Sequence, residues 1–137
     1  MKYILDASVA LKWVLPEEGS EKAIALQEQF ADAEHELIAP DTFAVEVAHA
    51  LTRAERRGNL QPPEGLERFR QIAASFPQFF PYIPLLPRAM EISSNMRVGV
   101  YDCLYIALAE RENCPLVTAD DRLAKTFTDQ AVSLASL

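Results

Sequence analysis

Lys2-Tyr3-Ile4-Leu5-Asp6-Ala7-Ser8 is the stretch whose reading decides the fold. Tyr3-Ile4-Leu5 is short, apolar and partly β-branched, the make-up of a buried strand. The run stops at Asp6. Ala7-Ser8-Val9-Ala10-Leu11-Lys12-Trp13 then reads as a short helix ended by Pro16. A carboxylate therefore stands where a central strand hands over to a helix. In open α/β sheets, ligands bind outside the carboxyl ends of the strands. Two readings of Asp6 stay open here: a helix N-cap accepting backbone N–H bonds, or a member of a site. Three further acids in similar positions draw attention to the second.

Outward from that stretch, apolar strands alternate with helical patterns. Glu17 to Ala33 has apolar positions at helical spacing. Leu37-Ile38-Ala39 reads as a strand closed by Pro40. Asp41-Thr42 cap a helix over Phe43 to Arg57, stopped by Gly58-Asn59. Its apolar stripe is Phe43, Val47, Ala50, Leu51 and Ala54, and Glu46 borders that stripe. A glutamate there is either a rim residue near Arg53 or one with a buried partner. Gln61 to Phe76 is a further helix, and Phe79 to Pro84 holds one short edge strand broken by prolines. Leu86 to Met96 is helical, and Arg97 to Val100 is a loop. Tyr101 to Ala109 is apolar on all sides except at Asp102, which makes it a buried helix with an acid in its first turn. Pro115 to Thr118 is a strand, Ala119-Asp120-Asp121 follows, and Arg122 to Phe127 is a helix. This repeats the arrangement at Asp6. Val132-Ser133-Leu134 is the last strand. The alternation predicts an α/β fold in three layers, a mostly parallel sheet with helices on both faces. Residues 1–137 show no repeat or linker and read as one domain.

Composition narrows the function. The net charge is −7, against binding to nucleic acid through an overall basic field. A local basic face or a metal would be needed instead. No apolar run approaches the ~20 residues of a membrane span, and Asp6 interrupts any signal-peptide core. A cytoplasmic location is the expectation. Cys103 and Cys114 form no CxxC pair. His35 and His49 make no metal pair, and the scattered glycines form no phosphate loop.

Asp6, Asp102 and Asp120 each occupy a strand-to-helix turn or a helix start, and Glu46 a helix edge. In a parallel sheet such turns gather at one edge. Carboxylates that converge need a compensating cation. Oxygen-only ligands suit Mg²⁺ or Mn²⁺, which can serve phosphodiester hydrolysis. The first expectation is geometric: oxygens of Asp6, Asp102 and Asp120 within reach of one ion, with Glu46 nearby.

Four segments carry a resemblance: Ile4-Leu5-Asp6-Ala7-Ser8, Val45-Glu46-Val47, Tyr101 to Ala109 around Asp102, and Leu116-Val117-Thr118-Ala119-Asp120-Asp121-Arg122-Leu123. In order and spacing they resemble the four acidic motifs of the PIN domain, in particular those of VapC-type toxins. The resemblance implies a Mg²⁺- or Mn²⁺-dependent endoribonuclease that is dimeric and inhibited by a VapB-like antitoxin. By position, Asp6, Glu46, Asp102 and Asp120 would be the acidic quartet, with Asp6, Asp102 and Asp120 on the metal. Ser8 and Thr118 match hydroxyl positions near the site. Asp121 is either an extra acid or a cap for the last helix. Arg53, Arg56 and Arg57, with Arg68 and Arg70 on the next helix, would form an RNA rim or are ordinary solvated arginines. Trp13, Val14 and Leu15 are core or part of a groove for the antitoxin. The alternative is a catalytically weak PIN-fold interaction module. A phosphoaspartate protein using Asp6 is disfavoured, because Leu5 and Ala7 flank it.

Overall fold

A computed structural model describes residues 1–137. Five strands, β1 (Lys2–Leu5), β2 (Glu36–Pro40), β3 (Gln78–Phe80), β4 (Leu116–Thr118) and β5 (Ala131–Ser133), form one sheet of order β3-β2-β1-β4-β5. Every pairing is parallel, with Ile4 opposite Ile38 on one side and Leu116 on the other. A parallel strand covered on both faces is apolar throughout, and Ile4, Leu5, Leu116 and Val117 are fully buried. Pro40 and Phe80 end the β2–β3 pair at one edge.

The helices are α1 (Ala7–Leu11), α2 (Ser20–Ala31), α3 (Phe43–Arg56), α4 (Glu64–Ala73), α5 (Leu86–Met96), α6 (Val100–Glu112) and α7 (Asp121–Thr126). From β1 the chain steps outward to β2 and β3, then crosses back to β4 and continues to β5. Right-handed crossovers in opposite directions put their helices on opposite faces. The topological switch lies between β1 and β4, where an open parallel sheet has its crevice.

Two helices end up aimed at that crevice. α6 leads into β4, so it runs against the strands and its first turn sits at their carboxyl edge. Its residues Cys103 to Ala109 are all buried, as an all-round apolar surface requires. α3 leaves the carboxyl end of β2. Phe43, fully buried, packs on Phe76 and Phe79 with ring centroids 5.9 and 5.7 Å apart, which fixes the start of α3. Several element bounds differ from the sequence expectation: α1 stops at Leu11, α2 runs only from Ser20 to Ala31, and α7 and β5 each start one residue earlier. The expected cap of α3 is also absent, because Thr42 makes no side-chain cap bond and Asp41 Oδ1 accepts the Tyr82 N–H at 3.0 Å instead. α4 spans only Glu64–Ala73 because Pro62-Pro63 stand ahead of it, with Pro63 at its N-cap. Val100, expected in a loop, opens α6. No helix is long and apolar enough to cross a membrane.

Candidate active site

Asp6 directly follows β1. Its backbone is extended, and its N–H continues the ladder by donating to Val117 O at 3.1 Å. Its side chain makes no cap bond to α1, so the N-cap reading of Asp6 is set aside. Two hydroxyls bind it instead. Ser8 Oγ donates to Asp6 Oδ2 at 2.8 Å, and Thr118 Oγ1 donates to the same oxygen at 2.6 Å. Each hydroxyl also accepts a backbone N–H, Ser8 from Ala119 and Thr118 from Asp120. Those bonds turn the single hydroxyl protons toward Asp6. The β1–α1 and β4–α7 turns are thereby braced across the switch point.

Asp120 is the N-cap of α7: its Oδ1 accepts the Arg122 and Leu123 N–H groups at 3.0 and 3.2 Å. Asp121 accepts from Ser133 Oγ at 2.8 Å and so ties α7 to β5. The cap of the last helix is Asp120, and Asp121 is engaged away from the other acids.

Glu46 and Asp102 stand on the two helix starts. The partner Glu46 needed is Tyr105 of α6, whose phenol donates to Glu46 Oε2; it is not Arg53. Sequence reading missed Tyr105. A tyrosine inside an otherwise apolar helix was the available signal, since a buried phenol finds a hydrogen-bond partner. Asp102 occupies the first turn of α6.

The four carboxylates share one electrostatic field. Burial pushes Glu46 up to about 7 against the lowering effect of the Tyr105 bond, and Asp6 and Asp102 raise it further. Burial, then Asp6 and Asp120, raise Asp102 to about 6. Asp6 is 7% exposed, and its burial raises it despite the Thr118 and Ser8 bonds. No lysine or arginine is among the groups acting on these three.

The geometric expectation needs one correction. No three His, Cys, Asp or Glu side chains stand in positions to hold an ion between them. Asp6, Asp120 and Glu46 each have one oxygen held by protein donors and one with no hydrogen bond within the protein. The donor set still fits a hard divalent cation. It is all oxygen, it converges at one edge, and Mg²⁺ needs few direct carboxylates because it keeps several waters. Arg53, Arg56 and Arg57 are exposed near the far end of α3. Among them only Arg56 has a side-chain bond, to Thr52 Oγ1 at 3.4 Å. Arg53 and Arg57 share the face of Glu46, roughly 10 and 16 Å along the axis at 1.5 Å per residue. The structure therefore does not bring these arginines into the acidic cluster. Arg68 instead donates to the Val14 carbonyl and pairs with Glu64 at 3.7 Å.

The family model described as PIN domain matches residues 3–127. Ribonuclease VapC3 of Pyrobaculum aerophilum is 34% identical over 129 residues, covering 93% of this chain and 95% of the relative. Ribonuclease VapC9 of Mycobacterium tuberculosis is 34% identical over 126 residues, covering 90% and 89%. In the crystal structure of VapBC2 from Rickettsia felis bound to a promoter DNA fragment, one chain has a similar fold. Its TM-score is 0.72 at 12% identity, with coverage of 97% of this chain and 98% of that one.

Proposed function

The chain belongs to the PIN-domain family, and from that premise we propose that it is a Mg²⁺- or Mn²⁺-dependent endoribonuclease of the VapC type. RNA as the substrate rests on the relatives, which are named ribonucleases. In this reading residues 1–137 form one catalytic domain. It works as a homodimer, free in the cytoplasm, and is silenced by a VapB-like antitoxin seated in a groove near Trp13, Val14 and Leu15. The observation that carries the reading is the convergence of Asp6, Glu46, Asp102 and Asp120 at the switch point with no cationic side chain acting on the raised carboxylates.

Asp6, Asp102 and Asp120 would hold the ion, and Ser8 and Thr118 both donate to Asp6 Oδ2, which leaves its Oδ1 without a hydroxyl partner. When bound, a hard divalent cation neutralises these carboxylates and lowers the cost of deprotonating the attacking water. Glu46 orients that water and takes its proton on Oε1, the oxygen that Tyr105 leaves open. Water attacks phosphorus, the bond to the leaving ribose oxygen breaks, and that oxygen takes up a proton from solvent. Ser8 and Thr118 keep Asp6 in place throughout. Arg53, Arg56 and Arg57 contact the RNA backbone away from the cut.

The test uses the purified chain freed of any antitoxin, structured RNA, and the Asp102→Asn variant. Cleavage is expected in Mg²⁺ or Mn²⁺ and should stop with EDTA. Ca²⁺ should support it poorly, because its larger, looser shell positions water badly. Cleavage that persists in EDTA, or equally in Asp102→Asn, overturns the assignment.

A further inference from the structure

We propose that Tyr105 is a positioning residue that holds Glu46 inside the acidic cluster, an inference that rests on the nuclease reading above. Glu46 is only half-buried, in the first turn of α3, and both Asp6 and Asp102 repel it. A flexible carboxylate under that repulsion swings toward water unless something retains it. Tyr105 is 1% exposed, and burial and packing on α6 fix its ring. Its phenol has one proton to donate and gives it to Glu46 Oε2. Tyr105 thus ties the Glu46 carboxylate of α3 to the buried helix α6.

This arrangement fixes one oxygen and frees the other. Oε2 is anchored, and Oε1 has no hydrogen bond within the protein. Tyr105 follows Asp102 by three residues, one turn further into α6, so both lie on one side of the helix. One helix therefore supplies an acid of the site and the anchor of a second acid from α3. A phenylalanine would fill the same core space without any of this, and every other side chain from Cys103 to Ala109 is apolar.

The experiment compares wild type, Tyr105→Phe, Glu46→Gln and the double variant. The first readout is independent of catalysis: the side-chain carboxyl ¹³C resonance of Glu46 in metal-free protein, assigned by its loss in Glu46→Gln. Tyr105→Phe should move that resonance and leave the other carboxyl signals in place. The second readout is RNA cleavage in Mg²⁺. Tyr105→Phe should lower kcat roughly 10–100-fold, the range for losing a residue that orients a site group, with KM within about twofold. Adding Tyr105→Phe to Glu46→Gln should change the residual rate less than about twofold, because the anchored carboxylate is already gone. Since Tyr105 lies in the core, Glu46→Asp is the second variant. One methylene shorter, it withdraws the carboxylate from the phenol from the exposed side and should lower kcat similarly. A Glu46 signal unmoved by Tyr105→Phe, a wild-type kcat, or losses that multiply in the double variant would overturn the proposal. Wild-type protein that cleaves no RNA would instead overturn the nuclease reading, and the ¹³C comparison would still decide what Tyr105 does to Glu46.

Discussion

Asp6 and Asp120 lie in the turns that follow strands, whereas Glu46 and Asp102 lie in the first turns of helices, and their surroundings differ accordingly. The strand pair is embedded in backbone. Asp6 holds the β4 ladder with its N–H and receives two hydroxyls that are themselves oriented by backbone N–H groups. Asp120 caps α7 with two bonds. The helix pair has one side-chain partner between its two members, Tyr105, and lies half-buried at about 7 and about 6. One half of the site is set by the fold itself. The other half is set by charge and by a single phenol. Substitutions in the first should register in stability as well as activity, and those in the second chiefly in activity and pH response.

The largest effect expected is at Asp6. Asp6→Asn should remove RNA cleavage by more than about 100-fold, the upper end of what losing a mere supporting residue does. Its amide oxygen can still accept from Ser8 and Thr118, and it removes a buried carboxylate whose ionisation the fold disfavours. Stability at pH 7–8, read by denaturant unfolding of the metal-free protein, should therefore equal or exceed wild type. Asp6→Ala should lose as much activity but also about 1–3 kcal/mol, because the buried Thr118 hydroxyl is left without its acceptor. Equal stability for Asn and Ala would break the distinction between the two halves.

Next in size is the response to metal and pH. Glu46 and Asp102 bind protons more tightly folded than unfolded. Between the ordinary carboxylate range and about pH 7 the folded state therefore holds more protons, and metal-free stability should fall as pH rises through that window. Cation binding needs ionised ligands, so added Mg²⁺ should stabilise little at pH 5 and strongly at pH 8. At 100 times its dissociation constant the gain is about 2.7 kcal/mol. Thermal unfolding across pH, with and without Mg²⁺, gives both curves. Asp102→Asn should flatten the metal-free pH dependence and remove most of the Mg²⁺ gain. A Mg²⁺ gain that is the same at both pH values would place the ion elsewhere.

The same division explains what the sequence made legible. Strand, acid and helix occur contiguously at Leu5-Asp6-Ala7 and Thr118-Ala119-Asp120, so period and composition revealed those positions without a partner. The parallel sheet followed from alternation, and the edge strand at β3 from the prolines beside it. The Tyr105–Glu46 bond joins residues far apart in the chain, and nothing local to either residue specifies the other. Asp120 and Asp121 are adjacent acids, and only the turn geometry decides that the first caps α7 while the second reaches β5. For Asp6 the cap reading was locally reasonable. It fails because two hydroxyls, one of them 112 residues away, compete for the carboxylate. The start of α4 shifted because Pro62-Pro63 govern the backbone ahead of its first turn.

The smallest effect lies outside both halves, at Arg53. It is exposed on the face of α3 that carries Glu46, about two turns away, too far to act on the acids but within the span of an RNA backbone that crosses the site. If it contacts a phosphate, Arg53→Ala should weaken RNA binding several-fold and alike for different sequences. It should also reduce the slope of log affinity against log salt by about 0.7, the value for one contact on a single strand. Cleavage at saturating RNA should keep its wild-type rate and its pH profile. An unchanged salt slope would return Arg53 to the ordinary solvated surface of α3. A lowered rate at saturation would instead extend the helix half of the site along α3, and the contrast between backbone-built and charge-built halves would have to include a third, cationic part.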